Sequence, residues 1–531
     1  MPVVASPTPA GVEEPEGLDA VRALQHALYR AAKADPGRRF HALYDKLSRR
    51  DVLQRAWEQV RRNRGAPGVD QLTIQQVEQY GVDRLLDKLA VVLENGSYRP
   101  LAARRVLIPK PGSTEQRPLS IPTVADRIVQ AAMKIVLEPI FEADMLDCSF
   151  GFRPRRAAHD ALQVVVDQSW QGRRWVVETD IADCFSAIPH AGLMSAVKER
   201  ICDRRVLKLL GAFLHAGVLQ DGAVRRPVSG TPQGGVLSPL LSNVALSVLD
   251  EQLAQAPGGP ATSSWERAKR RRHGLPNFRL VRFADDWCLM VNGTRADAAA
   301  LREEIAGVLT PMGLRLSAEK TLITHIDEGL VFLGWHIRRH RKQGTSRHYI
   351  YTYPAKKALR AIMAKVKALC RRTGTSLPLD TLLIGLNQML RGWCEHFRPG
   401  VSSATFQYVS SHVWKRVMKW LKRKHRRTSW KELRHRYCHG QWWPASNQRE
   451  LFDPAKVRTT RYRYREQPSP RPGRPPDEAT PHQPRDGTRG APGAGKLARR
   501  VRESGPRKPT GRKARTALRA DFTTACSPIS R

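Results

Sequence analysis

The sequence predicts an α+β fold that is followed by a mainly helical region. Short apolar runs of β type, Trp175 to Val177 and Leu280 to Phe283, are separated by longer segments with apolar residues at helical spacing. After about Ile350 the pattern becomes helical, basic and Trp-bearing, up to about Arg436. At 531 residues the chain exceeds what one core usually holds, so we expect several domains.

The composition points to a polyanionic partner. Lys and Arg number 90 against 49 Asp and Glu, so the formal net charge is 90 − 49 = +41. No run of about 18 apolar residues is present, which argues against a membrane span and favours nucleic acid over a membrane. The stretch from Met1 to Gly17 lacks the features of a signal peptide, so we expect a cytoplasmic protein.

The eight cysteines are scattered and form no C-x-x-C pair, so we expect reduced thiols. Cys394 and His396, with Cys438 and His439, could in principle bind zinc. Their spacing fits a zinc site poorly, because the paired ligands are separated by one residue or by none. We therefore predict no zinc.

The early elements follow from local patterns. Apolar residues from His41 to about Leu93 recur at helical spacing around a turn-rich insert, residues 63–70, which predicts helix, loop, helix. Residues 104–122 predict strand, turn, strand. A helix is expected from Val124 to about Phe141.

Two acidic clusters stand at the ends of predicted strands. The first strand ends in Asp180 and the second is followed by Asp285 and Asp286. Nucleotide phosphoryl transfer needs divalent metal ions roughly 3.5 to 4 Å apart, and aspartates are suitable ligands for them. A single aspartate after a strand is usually a solvated turn residue. Two such clusters in so basic a chain favour a metal site.

The segment from Asp180 to Phe185 and the tetrapeptide from Phe283 to Asp286 resemble the two catalytic motifs of group II intron reverse transcriptases. The resemblance implies a right-hand polymerase with fingers and palm, followed by an α-helical thumb/maturase domain. It assigns catalysis to Asp180, Asp285 and Asp286. It also implies Mg²⁺, held by Asp180, Ile181, Asp285 and Asp286. Phe283 stands where these enzymes commonly have Tyr, which removes a hydroxyl and no metal ligand.

The resemblance also implies a site for the incoming nucleotide. It assigns this role to Lys110, Arg117, Ile181, Asp183, Phe185, Gln233 and Lys320. Lys110 and Arg117 would hold the triphosphate, and Lys320 would lie near the leaving group and could act as a general acid. Phe185 would exclude a 2′-hydroxyl and so select dNTPs, although an aromatic residue of this kind can equally be ordinary core.

A further set of residues resembles the primer-binding and RNA-binding parts of the family. The set consists of Pro232, Gly234, Phe332, Leu333, Gly334, Arg391, Trp393, Lys415, Arg416 and Lys419. Aromatic and basic side chains interleave in its later part, a pattern that suits base stacking and phosphate charge. A solvated helix face or an apolar strand turn would read similarly.

The boundaries we expect divide the chain into five segments. They are a flexible N-terminal segment (1–39), an N-terminal helical extension (40–100), reverse transcriptase fingers and palm (101–345), a helical thumb/maturase domain (346–440) and a basic, disordered tail (456–531). Two departures from the family stand out: Ser186 replaces a usual second Asp, and no H-N-H nuclease with paired cysteines follows the thumb. The second departure implies priming from an existing 3′ end.

The expected function is RNA-directed DNA synthesis by a group II intron protein. Its expected partners are intron RNA, a DNA primer or target, and dNTPs, with assistance to splicing and mobility by target-primed reverse transcription. Two other functions stay open at this point. One is a stand-alone reverse transcriptase with a role in defence or diversity generation. The other is a catalytically silent splicing factor that only binds RNA, against which the intact acids argue.

Overall fold

A computed structural model describes residues 19–109, 116–225, 228–317, 319, 321–341, 344–439, 442–446 and 448–460. Strands and helices are mixed up to residue 354 and helices predominate after it, so the predicted fold class is confirmed. The calls on Lys110, Lys320 and most of the tail fall outside the described residues.

The helices of the described residues are α1 (Ala20–Ala34), α2 (Tyr44–Leu47), α3 (Arg50–Asn63), α4 (Ile74–Tyr80), α5 (Val82–Glu94), α6 (Val124–Glu142), α7 (Ala158–Trp170), α8 (Cys184–Ala187), α9 (His190–Arg200), α10 (Arg204–His215), α11 (Ser238–Gln255), α12 (Ser264–Arg272), α13 (Arg295–Leu309), α14 (Lys356–Arg372), α15 (Leu379–Phe397), α16 (Ser403–Lys424) and α17 (Trp430–Cys438). Two short 3₁₀ helices span Thr310–Met312 and Pro454–Lys456.

The strands are β1 (Ala103–Pro109), β2 (Gln116–Ile121), β3 (Trp175–Asp180), β4 (Val218–Gln220), β5 (Ala223–Arg225), β6 (Asn277–Phe283), β7 (Asp286–Asn292), β8 (Leu322–His325), β9 (Leu330–Phe332), β10 (Trp335–Arg341) and β11 (His348–Pro354). They form three sheets, with the orders β6-β7-β3-β8, β2-β1-β4-β5 and β11-β10-β9. We call them the central, the N-terminal and the third sheet.

The central sheet is buried on both faces. Its neighbouring strands are antiparallel, and successive side chains point to opposite faces, so Val176 and Val177 enter different cores. Val176 shares a core with Val166 of α7, whereas Val177 shares one with Leu249 of α11 and Ile305 of α13. Because both faces are covered, these strands consist largely of apolar residues, and Arg282 within β6 is a buried exception.

The N-terminal sheet carries the predicted strand pair, which is confirmed. β1 is antiparallel to β2 and parallel to β4. The predicted helix follows as α6, which ends at Glu142 and is buried on nearly every turn between α1, α3 and the rest of the core. This strand pair therefore leads directly into a long, well-packed helix.

Helix α1 corrects one expectation, because residues 20–34 were assigned to a flexible segment. Asp19 caps the helix by accepting hydrogen bonds from the backbone N–H groups of Val21 and Arg22. Val21, Leu28 and Ala32 are buried, and the helix packs against α6. Its apolar stripe, with a spacing of seven and then four residues, gives α1 a face that has to be covered.

The third sheet corrects another boundary, since β11 runs to Pro354 and the helical region begins at Lys356. Ile350 and Thr352 are buried, whereas Tyr349, Tyr351 and Tyr353 alternate with them and pack ring against ring along one face. This period of two is that of a strand.

Helices α14, α15 and α16 share one core. Leu359, Ile362 and Val366 of α14 recur at helical spacing and meet the row of Val409, Val413 and Val417 on α16. The helical pattern predicted after the sheets is confirmed. The predicted basic helix from His412 to Arg427 is the second half of α16, which ends at Lys424.

A return segment, the described residues between 442 and 460, crosses back over these helices. The Asn387 side chain donates to the Glu450 carbonyl at 2.8 Å and accepts from the Phe452 N–H at 2.7 Å. Ser410 donates to the Asp453 carboxylate at 2.6 Å, and Leu451 is buried in the same core as α14 to α16. The helical region is therefore closed by residues that follow its last helix.

The described residues contain neither a helix suited to crossing a membrane nor a disulfide. None of their helices is both long and apolar enough to cross a membrane. Their seven cysteines form no disulfide with one another.

Arg282 lies in the middle of the core and is fully buried. Its guanidinium donates to both oxygens of Asp250 at 2.5 to 3.2 Å, to Asn243 Oδ1 at 2.9 Å and to the Ala284 carbonyl at 3.1 Å. Burial opposes the charge, but the Asp250 carboxylate outweighs it and raises the pKa of Arg282. The ion pair thus ties β6 and the turn after it to α11.

Gly151 completes this arrangement from the other side. Its carbonyl accepts from the Asn243 amide at 2.8 Å. A Cβ at position 151 would lie 2.3 Å from the backbone nitrogen of Ala284, a distance that no side chain tolerates. The turn between β6 and β7 is therefore held between Gly151 and Arg282.

We expect Asp250→Ala to lower the free energy of unfolding by about 3 to 5 kcal/mol, because it leaves a buried guanidinium without its counter-charge. The exposed pair Arg302 and Glu303 provides the control, since Glu303→Ala should change stability by less than about 1 kcal/mol. Thermal and urea unfolding of both variants measure the difference. Equal losses would mean that the buried pair does not hold the core.

Candidate active site and nucleic-acid interface

The two acidic clusters come together at one edge of the central sheet. β3 and β7 are antiparallel neighbours, and their register places Asp180 directly opposite Asp286. The turn from β6 to β7 consists of Ala284, at φ +60°, and Asp285. Asp180 and Asp285 are half-buried and Asp286 is exposed. The carboxylate of Asp180 and those of the adjacent pair Asp285 and Asp286, which are distant from it in sequence, thus lie where two buried strands reach the surface.

The Cys184 thiol reports on the electrostatics of this edge. Burial raises its pKa to about 12, and the carboxylates of Asp285 and Asp180 add to that shift. Burial likewise raises the pKa of Glu178, on the same face of β3 as Asp180, to about 7, and Asp286 contributes. The edge is therefore strongly acidic within a basic chain.

The donor set at this edge fits a hard divalent cation. Aspartate oxygens, and the backbone carbonyl of Ile181 that the resemblance adds, are the ligand types that Mg²⁺ prefers. Within the described residues, no group of three or more His, Cys, Asp or Glu side chains is closely enough assembled to form a metal site by itself. Metal binding here would need a small adjustment of side chains or ligands from the substrate, as is usual for Mg²⁺.

The Gly-rich segment from Gly230 to Gly235 lies between α8 and the N-terminal sheet. Thr231 donates its backbone N–H to the Phe185 carbonyl at 2.6 Å, and the Ser120 N–H of β2 donates to the Gln233 carbonyl at 2.6 Å. The segment therefore joins the Phe185 turn to the hairpin of β1 and β2.

Both of these approaches require glycine. Gly230 has φ +88°, and a Cβ there would lie 2.8 Å from the backbone of Ser186. Gly234 has φ +106°, and a Cβ there would lie 2.6 Å from the Ser120 carbonyl. Side chains are excluded by conformation and by space.

Two buried acceptors in this segment lack partners. Gln233 Oε1 and Thr231 Oγ1 have no hydrogen-bond partner among the described residues. Pro232 is half-buried, and its carbonyl accepts from the Ser238 hydroxyl at 2.7 Å. An unpaired buried oxygen is costly, so Gln233 and Thr231 are suited to a ligand or to water.

The other residues expected to bind the nucleotide lie on separate elements. Phe185 is half-buried in α8. Asp183, at φ +48°, is exposed and directly precedes that helix. Arg117 is exposed on β2, where its register partner is Ile108.

The three residues expected to bind the primer at the turn between β9 and β10 differ in their exposure to solvent. Phe332 is 3% exposed and packs in a core with Trp335. Leu333 and Gly334 form the turn, at φ +50° and +80°, and are half-buried. An aromatic anchor thus fixes a turn whose other two residues reach solvent.

The residues expected to bind RNA in the helical region also differ in their exposure to solvent. Arg391 is exposed, with its guanidinium 5.6 Å from the centre of the Phe452 ring. Trp393 packs against Phe397 and Phe406, with ring centres 4.8 and 5.8 Å apart, so its ring serves mainly the core.

Lys415 and Lys419 lie one turn apart on the exposed face of α16. Arg416 lies on a neighbouring face, where it adds to the burial that lowers the pKa of His412.

Sequence reasoning did not find two groups of residues. The first is the set of Arg282, Asp250, Asn243 and Gly151 beneath the acidic edge. Its signal was an arginine within an otherwise apolar strand, since a charge there has to be paired. The second group is the exposed Trp430 and Trp442, whose relation to α16 depends on the tertiary fold.

Comparison with known proteins agrees with this geometry. Residues 108–337 match the family model described as "Reverse transcriptase (RNA-dependent DNA polymerase)". Residues 359–438 match "Group II intron, maturase-specific domain". The first match spans the acidic edge, the Gly-rich segment and the β9–β10 turn, and the second spans α14 to α17.

Individual relatives are similar to this chain over more than half of its length. Protein YkfC of Escherichia coli K12 is 36% identical over 379 residues, which cover 65% of this chain and 97% of YkfC. Group II intron-encoded protein LtrA of Lactococcus lactis is 32% identical over 352 residues, 58% of each chain. A 91 kDa protein in the cob intron of Schizosaccharomyces pombe is 30% identical over 407 residues, 66% of this chain and 50% of that protein. The match thus spans little more than half the length of the latter two relatives.

With a relative matched over nearly its full length, and with both domain models found in order, this chain belongs to the group II intron-encoded reverse transcriptases, RNA-directed DNA polymerases that carry a maturase domain.

Proposed function

We propose that this chain copies intron RNA into DNA at the acidic edge of the central sheet, with Mg²⁺ as its metal. The observation that carries the proposal is the register of β3 and β7, which sets Asp180 opposite Asp286 beside the turn that holds Asp285. Asp180, Asp285, Asp286 and the Ile181 carbonyl would hold the metal. When bound, Mg²⁺ would neutralise the charge that develops on the transferred phosphoryl group.

The residues of the chain supply position and selectivity. Phe185 lies on the α8 turn that the Gly-rich segment touches, where its ring would close the space beside the nucleotide's 2′ carbon. Gln233, with its unpartnered buried oxygen, would bind the sugar or base edge. Arg117 would attract the triphosphate by charge.

Lys110, Lys320 and Asp183 remain part of the proposed nucleotide site. Lys110 and Lys320 are proposed on the family resemblance alone. Asp183 lies two residues before Phe185 and is exposed, with a left-handed backbone conformation. Its carboxylate would contact the incoming nucleotide or the metal.

We propose that the nucleic acid contacts a path that runs from the Gly-rich segment to the helical region. Pro232 and Gly234 border the nucleotide site, and Leu333 and Gly334 form the turn that Phe332 anchors. Arg391, Trp393, Lys415, Arg416 and Lys419 complete the set expected to bind RNA. The partners are intron RNA, a DNA primer or target, and dNTPs, in target-primed reverse transcription that accompanies splicing.

The maturase-specific match favours an intron role over a stand-alone polymerase. The three intact carboxylates favour catalysis over a silent splicing factor. A cytoplasmic location stays a prediction.

We expect Asp180→Asn to reduce DNA synthesis by about a thousandfold or more, since a metal ligand is worth several kcal/mol in the transition state. RNA affinity should stay near that of the wild type. Primer extension and RNA binding are measured side by side, with Asp221→Asn, an exposed turn residue between β4 and β5, as the control. Near-normal extension by Asp180→Asn would contradict the site.

Phe185→Ala should raise incorporation of ribonucleotides relative to deoxyribonucleotides, because it opens space for the 2′-hydroxyl. Single-nucleotide extension with each substrate gives the ratio. Phe185→Tyr keeps the ring and should leave the ratio unchanged. If the alanine variant kept the wild-type ratio, Phe185 would be ordinary core.

Chemistry and RNA binding use different residues, so Asp285→Asn combined with Asp286→Asn should abolish DNA synthesis and still promote splicing. Lys415→Gln combined with Lys419→Gln should do the reverse, weakening splicing more than extension of a short annealed primer. Splicing is measured with protein near its dissociation constant, because excess protein would hide a modest loss.

Lys198→Gln combined with Lys208→Gln, on exposed positions of α9 and α10, is the charge-matched control. A folded double aspartate variant that could not splice would contradict the separation of roles. So would a control pair that impaired splicing as much as the α16 pair.

A further inference from the structure

A cleft of about 830 Å³ opens between α16, α17 and the start of the return segment. The side chains on α16 that line it recur every three to four residues, so one face of the helix forms a wall. Met418 is buried in that wall, while Trp430 of α17 and Trp442 are 49% and 63% exposed. Large indole rings so accessible to solvent, around a concave surface, are typical of a binding site.

The cleft is cationic and apolar at once. Seven of its lining residues are Lys or Arg and none is acidic. Residues 403–438 contain eleven Lys and Arg against a single acid, Glu432. The interior surface is nevertheless mostly apolar, because indole rings and the stems of the basic side chains line it and leave the charges at the rim.

Two of the three indoles that line the cleft, those of Trp414 and Trp442, are held in place. Trp414 donates its Nε1–H to the Trp442 carbonyl at 2.6 Å, and the two rings lie 6.4 Å apart. The guanidinium of Arg434 stacks 3.6 Å from the centre of the Trp442 ring. Arg434 Nε is buried and has no hydrogen-bond partner among the described residues. This donor is therefore left without an acceptor from the described part of the protein.

The cations of the rim are not all committed to the fold. Lys422 donates to the Thr428 carbonyl at 2.5 Å and Arg423 to the Cys370 carbonyl at 2.7 Å. Within the described residues, Lys415, Lys419 and Lys431 make no such hydrogen bond to a carbonyl and form no ion pair, although Glu432 follows Lys431 in the sequence.

A smaller cavity of about 250 Å³ continues past Trp414 and Trp442 and is bordered by the hydroxyl-bearing Ser410 and Ser411. A chain could therefore extend beyond the cleft.

These properties distinguish the possible ligands. Phosphate alone would favour polar walls, and an apolar peptide would gain nothing from seven cations. A nucleotide in which the base is unpaired has an aromatic face for the indoles and phosphates for the rim.

We propose that the cleft binds an unpaired base of RNA, stacked on its exposed indoles, with the flanking phosphates held by Lys415, Lys419 and Lys431. The proposal rests on the RNA-binding role proposed above and names the feature of RNA that this surface reads. A base that is already unpaired enters without the cost of breaking a pair, so the cleft would select bulges and single strands over continuous helix.

The test compares two RNA duplexes that carry the same phosphates. One has a bulged adenosine, and the other has an abasic residue at the same position. The full-length protein should bind the first about tenfold more tightly, since stacking one base is a contribution of that order. Trp430→Leu combined with Trp442→Leu should remove that preference and leave the salt dependence of binding unchanged. Phe at both positions should largely restore it.

Two controls separate stacking from charge and from position. Lys415→Gln combined with Lys419→Gln should keep the base preference and flatten the salt dependence. Trp265→Leu removes an indole that is 65% exposed beside Lys269 on α12, away from the cleft, and should change neither measurement.

Several results would overturn the proposal. The leucine variant could keep the preference for adenosine, or lose affinity for both duplexes equally. Trp265→Leu could lose the preference as fully. Polyglutamate could displace the bulged duplex more effectively than the abasic duplex does, which would mark a protein-docking surface. If the wild-type protein bound neither duplex, the RNA-binding function itself would fail, which is a distinct outcome.

Discussion

A guanidinium removed from water has to find acceptors for all its donors, and the burial of Arg282 imposes that condition on the centre of this protein. Asp250 and Asn243 of α11 meet it, together with the Ala284 carbonyl in the turn before Asp285. Asn243 in turn binds the Gly151 carbonyl, and Gly151 presses against Ala284. A strand, a helix and a loop from three parts of the sequence are thereby fixed around one turn. The position of the turn that carries Asp285, a proposed catalytic residue, depends on this single buried charge.

The central sheet explains why reactive groups appear where they do. Asp180 ends β3 and Asp286 begins β7, so the register of the two strands sets these carboxylates opposite each other where the sheet reaches the surface. The Gly-rich segment then bridges two bodies of the fold, because its backbone bonds to the α8 turn and to β2. A shift of the N-terminal sheet would move Gln233 relative to Phe185. The proposed nucleotide site would therefore respond to the position of that sheet without any change in the central one.

Much of this arrangement can be predicted from local sequence patterns. The acids are recognisable because each cluster stands at the end of a predicted strand, and the resemblance to the family motifs predicts that the two clusters act together. Other features could not be read locally. Arg282 and Asp250 are 32 residues apart, and nothing in either neighbourhood names the other as its partner. Trp430 and Trp442 read as ordinary residues of a basic region until α17 is folded against α16. Helix α1 was misjudged because most of its apolar residues are alanines and the Pro-rich stretch before it dominates the composition.

The return segment changes what counts as a module in this protein. The shared maturase stretch ends at residue 438, yet Leu451 fills the core of α14 to α16, and Thr460 still donates its N–H to the Arg398 carbonyl. The helical unit that folds is thus longer than the stretch that the maturase-specific family model matches. Recombination between intron proteins at residue 439 would leave the core of α14 to α16 without Leu451, whereas an exchange after residue 460 would keep the return segment together with the helices that it covers.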